Sequence, residues 1–388
     1  MASETTLFFP PKPQPLLIRL VQSVSSLALQ RLYRCGLVVS DDDVAKLRAI
    51  DGVRVVYVCN HPTMEDGMVL FGLAARVGQL WHYIVARESF KGLQGKFLQW
   101  MGCYSIRRGL GDRSSIAQTL SLLKQPRTQV VIFPEGGCSY QNDTVMPFRS
   151  GAIQMPLQVV AQLAKKSSEV DLYIVPISLK YRYTEPMTAI IEKTLQGLEE
   201  ELGVVSVEQD FYKRLLAIAA QVLARIETEF GLDTDPDKDW NQRISQLRYH
   251  VIDQCEQQLE LPPNGAPIRE RVYKIQALLE AEEPKTVAED DALYRTTVRL
   301  LNFDAIYDGY VAADPTPERF LDTLMRLERE VYQIEHIQPK AYRQAIFRVG
   351  EPINLRHYVD DFRRDKTGTV GRLTQQLHTV VQENLVQP

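Results

Sequence analysis

Residues 53–59 (Val-Arg-Val-Val-Tyr-Val-Cys) are almost all β-branched or aromatic, and the run stops at once at Asn60-His61-Pro62. Such a run reads as a strand buried on both faces. Pro62 fixes its own φ and disfavours helical backbone at His61, so the strand must end here. A helix can then start near Thr63 and run through Met68, Val69, Phe71 and Leu73. The chain thus delivers a histidine to the carboxyl end of a buried strand, with Asp66 following five residues later.

On a continuous helix, residues five apart point about 140° away from each other. His61 and Asp66 therefore meet only if the histidine lies on the turn and the aspartate in the first helical turn. A carboxylate placed there would hold one imidazole nitrogen and raise the basicity of the other. The run 63–66 equally fits a capping box, in which Asp66 serves only the helix terminus. Both readings stay open on this stretch alone.

Three later segments bear on the choice. Residues 102–108 (Gly-Cys-Tyr-Ser-Ile-Arg-Arg) follow a helix expected over 90–101, and a short strand there ends in Arg107 and Arg108. Arginine presents a rigid fork of donors suited to phosphate. Residues 129–137 (Gln-Val-Val-Ile-Phe-Pro-Glu-Gly-Gly) read as a second buried strand that carries Glu135 to its carboxyl end, where ligands bind in open α/β sheets. Gly136 and Gly137 allow close backbone approach. Residues 172–178 form a third strand, with Pro176 inside it, a position proline normally takes only at an edge, a bulge or a terminus.

In order, Asn60-His61 to Asp66, Gly102 to Arg108, Phe133 to Gly136 and Val175-Pro176-Ile177 resemble the four blocks of the glycerolipid acyltransferase family, of which 1-acylglycerol-3-phosphate acyltransferase is the type, with its His-x4-Asp motif. Residues 147–152 are similar to the segment after the family's glutamate, and residues 347–353 to its closing strand and turn. The resemblance implies an α/β fold with a mostly parallel sheet flanked by helices. It implies acyl transfer from an acyl carrier protein or acyl-CoA thioester to a hydroxyl, with no cofactor beyond that donor. His61 would be the general base and Asp66 its orienter. The acceptor oxygen would attack the thioester directly, without an acyl-enzyme. The substrate-binding residues would be Asn60, Arg108, Glu135, Gly136 and Arg149, with backbone N–H groups near Gly136 and Gly137 facing the oxyanion.

One position departs from the pattern. Family members that take a phosphate acceptor commonly continue the glutamate block as Glu-Gly-Thr-Arg-Ser, whereas this chain has Glu-Gly-Gly-Cys-Ser, with Cys138 in place of the arginine. A lysophospholipid or lysophosphatidate is the implied acceptor, and the missing guanidinium weakens the case for lysophosphatidate. Cys138 reads as a substituted family position rather than a nucleophile, because no base of its own is evident.

A net charge of −4 over 388 residues provides no basic field for nucleic acid. The five cysteines are scattered and form no Cys-x-x-Cys pair, which speaks against a disulfide scaffold or zinc site and fits a reducing compartment. His82, His250, His336, His357 and His378 lack ligand spacing, so no metal site is expected. No run is long and apolar enough to span a bilayer, and the N-terminus lacks the pattern of a signal peptide. The expected location is cytoplasmic, peripheral on the membrane face.

Residues 1–15 read as a loose proline-rich arm. Residues 16–37 read as an amphipathic helix that either lies on a membrane or covers one edge of the sheet. Phe90, Phe97, Leu98, Trp100 and Met101 form an apolar cluster suited to core packing, an acyl channel or lipid. The expected organisation is residues 1–49 as arm and helix, 50–185 plus 342–388 as the acyltransferase domain, and 186–341 as an all-helical insertion. Helices are expected around 211–230, 238–260, 267–282, 286–308 and 316–335, separated by Pro262-Pro263, Pro284 and Pro315. Two rival functions remain: a thioesterase or hydrolase using the same pair on water, and a silent homologue that binds lipid or acyl carrier protein. A carrier-protein surface would draw on Arg87, Lys91, Lys96, Arg107 and Arg113.

Overall fold

The computed structural model of the chain describes residues 8–108, 111–166, 170–205, 209–235, 237–262, 265–279, 287–303, 309–334 and 337–386. Pro263, Pro284 and His336 lie outside these. The chain divides into two compact units, one from residues 1–107, 111–182 and 342–388, the other from 108–110 and 183–341.

The first unit is built on one sheet. Its strands are β1 (Cys35–Val39), β2 (Arg54–Cys59), β3 (His82–Ala86), β4 (Cys103–Ile106), β5 (Gln129–Ile132), β6 (Leu172–Tyr183), β7 (Arg343–Val349) and β8 (Ile353–Asn354). They lie in the order β1-β7-β6-β2-β5-β3-β4, and β8 pairs with β6. β1 with β7, β2 with β5 and β6, and β3 with β4 and β5 are parallel, while β6 with β8 is antiparallel. This is the mostly parallel α/β fold implied by the resemblance.

The helices of this unit are α1 (Pro15–Leu32), α2 (Asp41–Ala49), α3 (Asp66–Val77), α4 (Gly92–Trp100), α5 (Arg113–Lys124) and α6 (Gly151–Leu163). Strand periodicity sorts the buried side chains of β2 onto two cores. Val55, Tyr57 and Cys59 join Ile18 and Leu29 of α1, Leu47 of α2 and Val69 of α3. Val56 and Val58 join Leu123 of α5 and Leu157 of α6 on the other face. With both faces covered, β2 can be apolar throughout.

Three expectations change. Pro176 lies on an interior strand, paired with Val58 of β2. It is tolerated at a seam: β8 partners only Tyr173 and Ile174, and beyond it the N–H of Gly350 donates to the Pro176 carbonyl at 2.9 Å. The arm is not loose over its described residues. Phe9 exchanges bonds with Ser105 on the β4 edge and stacks on Phe90 at 5.2 Å, and the N–H groups of Lys12 and Gln14 donate to the carbonyls of Gln99 and Trp100. The expected helix over 16–37 stops at Leu32, where Arg34 takes a positive φ of 46° and the chain enters β1.

α1 also faces in an unexpected direction. It buries Ile18, Gln22, Ser25 and Leu29 while exposing Leu16, Leu20, Val24, Leu27 and Leu32. Gln22 reaches the Gln79 carbonyl at 2.9 Å, so its polar group is satisfied inside. Of the apolar cluster after Arg87, Phe90 and Met101 are buried, whereas Phe97 and Trp100 are exposed, as is Leu93.

The second unit is helical: α7 (Thr188–Leu202), α8 (Phe211–Glu229), α9 (Trp240–Gln258), α10 (Ile268–Leu279), α11 (Val287–Phe303), α12 (Tyr310–Ala313) and α13 (Pro317–Val331). Its core is its own and includes Leu195, Leu223, Leu247, Val272, Leu300 and Leu324. An arginine ties each of three helices to its predecessor: Arg214 of α8 to Glu199 of α7, Arg243 of α9 to Glu227 of α8, and Arg271 of α10 to Glu256 of α9. Each pair is a two-pronged fork that fixes helix register as well as charge. The chain then returns through β7 and β8 to α14 (Val359–Arg364) and α15 (Lys366–Val386), whose Leu373 and Leu377 complete the core of the first unit.

Candidate active site

β2 and β5 are parallel neighbours paired through Val58 and Ile132, so their carboxyl ends open onto the same side of the sheet. His61 emerges from the first end and Glu135 from the second. The Glu135 carboxylate accepts the His61 N–H at 2.6 Å and the Met146 N–H at 3.1 Å, and the Ser139 N–H donates to the His61 carbonyl at 2.8 Å. The histidine backbone is therefore held on both sides by the 135–139 turn. Phe133 stacks on the imidazole, with ring centroids 4.1 Å apart and planes inclined by 18°.

The ring meets Asp66 with Nδ1 2.7 Å from Oδ2. Thr63 donates its N–H to Oδ2 at 2.9 Å and its hydroxyl to Oδ1 at 2.7 Å, and the Tyr181 hydroxyl donates to Oδ1 at 2.7 Å. Asp66 is fully buried, and these bonds hold its charge without solvent. The capping reading and the chemical reading thus describe one carboxylate. Thr63 folds onto Asp66 instead of opening the helix, so α3 starts at Asp66 rather than near Thr63.

Tyr181 was not visible as a site residue in the sequence. It comes from β6 and is held in turn by Arg343 of β7, whose guanidinium lies 4.0 Å from the centre of the tyrosine ring. Arg343 also pairs with Glu65 at 3.1 Å. Burial, together with the Asp66 charge, pushes the Tyr181 phenol well above its usual range, so it remains a donor. Burial alone would push the His61 ring down. The adjoining Cys138 sulfur and the Asp66 carboxylate outweigh it and hold its pKa well above the ordinary imidazole value.

The side chains of Asn60 and Glu135, named above as substrate-binding candidates, are buried and engaged by backbone. The Asn60 amide donates to the Leu179 carbonyl at 2.9 Å and accepts the Leu179 N–H at 2.8 Å. Asn142 clamps Tyr181 in the same way, at 2.6 Å in both directions. Two asparagines thus fix alternate residues of β6, and the second fixes the residue that touches Asp66. Glu135 is a brace for the His61 loop. Gly136 takes a φ of +75°, and a Cβ there would stand 2.5 Å from Nε of Arg149, so only glycine lets the guanidinium lie against the turn. The Gly136 N–H already donates to the Phe133 carbonyl at 3.1 Å, leaving Gly137 as the candidate oxyanion donor of the pair. Arg108 groups with the second unit, where its guanidinium lies 4.6 Å from the centre of the Tyr273 ring.

Cys138 requires a further correction. Its sulfur is 3.4 Å from Nε2 of His61 and 3.8 Å from Nδ1, and the sequence had shown no base beside it. Among the described residues, no group of His, Cys, Asp and Glu side chains is arranged to hold a metal ion.

The model of the family described as Acyltransferase matches residues 39–180. This segment is an acyltransferase domain. The matched stretch runs from the end of β1 through most of β6 and contains His61, Asp66, Arg108, Glu135, Gly136 and Arg149. Tyr181, which bonds Asp66, and Arg343, which lies over the Tyr181 ring, fall outside it, as does nearly all of the helical unit. No curated protein matches the chain. The match supports an acyltransferase enzyme, and within the matched domain His61 follows the carboxyl end of β2 while Asp66 opens α3.

Proposed function

We propose that this acyltransferase moves a fatty acyl group from an acyl carrier protein or coenzyme A thioester to a hydroxyl of a glycerolipid-like acceptor, with a lysophospholipid or lysophosphatidate as the acceptor class. The observation that carries the reading is the His61–Asp66 pair at 2.7 Å, with the carboxylate fully buried and fastened by Thr63 and Tyr181. Asp66 fixes the tautomer by accepting from Nδ1, which leaves Nε2 to take the proton of the acceptor hydroxyl. Asp66 then stabilises the imidazolium while the acceptor oxygen attacks the acyl carbonyl. Gly137 is the candidate donor to the oxyanion, and Arg149 is the candidate for the acceptor head group.

The reaction takes place at the cytoplasmic membrane face, with the protein bound peripherally. No helix among the described residues is long and apolar enough to cross a bilayer. The outward leucines of α1, together with Leu93, Phe97 and Trp100, provide an apolar surface that a bilayer interface would cover. Arg19, Arg31, Lys91 and Lys96 are the cations on these elements suited to lipid phosphates.

The test is transfer by wild type and His61→Ala, given acyl carrier protein and coenzyme A thioesters with a panel of lysolipids and glycerol phosphate, read by mass spectrometry. Transfer should fall by on the order of 10²–10⁴ in the variant. Free fatty acid as the only product would favour the thioesterase reading, and lipid binding without turnover would favour a silent homologue.

A further inference from the structure

We propose that Tyr181 and Arg343 are positioning residues that set the basicity of His61 by acting through Asp66. The inference rests on the acyl-transfer reading only for the step in which that base is used.

The two oxygens of Asp66 have separate tasks. Oδ2 faces Nδ1 of His61 at 2.7 Å and accepts the Thr63 N–H at 2.9 Å, while Oδ1 accepts the hydroxyls of Thr63 and Tyr181, each at 2.7 Å. The bonds on Oδ1 stop the carboxyl group from turning about its own axis and so keep Oδ2 on the imidazole. They also draw negative charge toward Oδ1, which limits how strongly the carboxylate holds a proton on the ring. Tyr181 is itself fixed, because Asn142 grips its backbone N–H and carbonyl at 2.6 Å each.

Arg343 stands behind the phenol. β7 lies beside β6 in the sheet, and the guanidinium sits 4.0 Å from the centre of the Tyr181 ring while it pairs with Glu65 at 3.1 Å. Glu65 and Asp66 are consecutive, so the set Asp66, Tyr181, Arg343 and Glu65 closes on itself. The cation over the ring opposes the rise that burial and Asp66 impose on the phenol, and it makes the hydroxyl a stronger donor. Tyr181 and Arg343 are both buried. A phenylalanine with an apolar neighbour would fill that space without the cost of desolvating a hydroxyl and a guanidinium. What the polar pair adds is its effect on the carboxylate.

The other titratable groups that face this cluster are Cys35 of β1, Cys59 of β2, Glu135 and Cys138. Four of the five thiols are buried, and Cys138 is half-buried. Burial pushes Cys35 up to about 11 and Cys59 well above the usual thiol range, so neither changes charge near neutrality. Glu135 accepts backbone N–H groups. Cys138 lies against the imidazole and acts on it directly rather than through Asp66.

The test reads the ring itself. Nitrogen-15-labelled wild type, Tyr181→Phe, Arg343→Lys and Arg343→Met would be titrated by NMR, with His61→Gln to assign the His61 signals and circular dichroism to confirm the fold. Loss of the phenol donor leaves more charge on Oδ2, so the imidazolium is held harder. In Tyr181→Phe the His61 titration should therefore move up by about 0.5–1 pH unit, the worth of one hydrogen bond. Arg343→Met should move it the same way, and Arg343→Lys, which keeps the charge, should stay nearer to wild type. The acidic limb of the transfer rate should follow in Tyr181→Phe, with a loss of about 3- to 10-fold on the limb, recovery on the alkaline plateau and an unchanged KM. A purely structural role would lower the plateau and leave the titration in place. An unmoved or lowered His61 titration in folded Tyr181→Phe overturns the proposal. A raised titration in a protein that acylates no acceptor would instead sink the transfer reading and leave both positioning roles standing.

Discussion

At the scale of single residues, the site depends on one buried carboxylate with four hydrogen-bond contacts. Removing its charge tests the arrangement. In Asp66→Asn the imidazole loses its ion pair and its tautomer is no longer imposed, so turnover should drop by on the order of 10³–10⁴. The pH profile should move as well. A base acts in its neutral form, and the raised His61 pKa places the acidic limb of the rate profile above the usual imidazole range. Rate therefore rises with pH through that raised value. Without the carboxylate the limb should shift to lower pH, and a limb that stays in place would show that Asp66 does not tune the ring. His61 and Asp66 were both legible in the sequence because they lie five residues apart beside a proline. Tyr181 and Arg343 were not, because a residue 115 positions from Asp66, and another held beyond it, meet the carboxylate only through strand pairing. Asn60 and Glu135 were legible as polar groups at strand ends, but their partners are backbone amides whose positions only the fold defines.

At the scale of elements, the buried strands were legible because apolar runs with abrupt polar ends leave little choice. β5 occupies only Gln129–Ile132, the head of the 129–137 run, and β2 begins one residue late, at Arg54. β1 was missed because its five residues follow α1 after only two, and the apolar pattern runs on through both. The facing of α1 was also hidden, since a leucine stripe normally turns inward and here it turns out. The exposed stripe makes an element-level prediction. Leu20→Glu with Leu27→Glu should weaken co-flotation with anionic lipid vesicles severalfold while leaving activity on a water-soluble short-chain donor and acceptor unchanged. Unchanged flotation would remove α1 from the membrane-binding surface.

At the scale of the whole molecule, the helical unit interrupts the sheet unit between β6 and β7, which are neighbours in the sheet. Each unit has an apolar core of its own. A chain in which residues 184–341 are replaced by a short Gly/Ser linker should therefore fold, because closing a loop between adjacent strands costs little more when the loop is long than when it is short. One cooperative thermal transition with the circular dichroism of an α/β protein is the expected result. An aggregated or molten product would show that the sheet unit needs its insertion. The insertion was legible as helical because its apolar stripes recur at helical spacing. The Arg–Glu forks that lock its helices were not, since alternating charges along a surface helix look the same whether or not they are paired.

The uneven burial of the five thiols also makes the protein its own reporter. A thiol-reactive dye, offered briefly and in limiting amount, should attach at residue 138 alone, against the imidazole ring, without any engineered cysteine. Its emission would then follow events within a few ångströms of His61 in the otherwise unmodified chain.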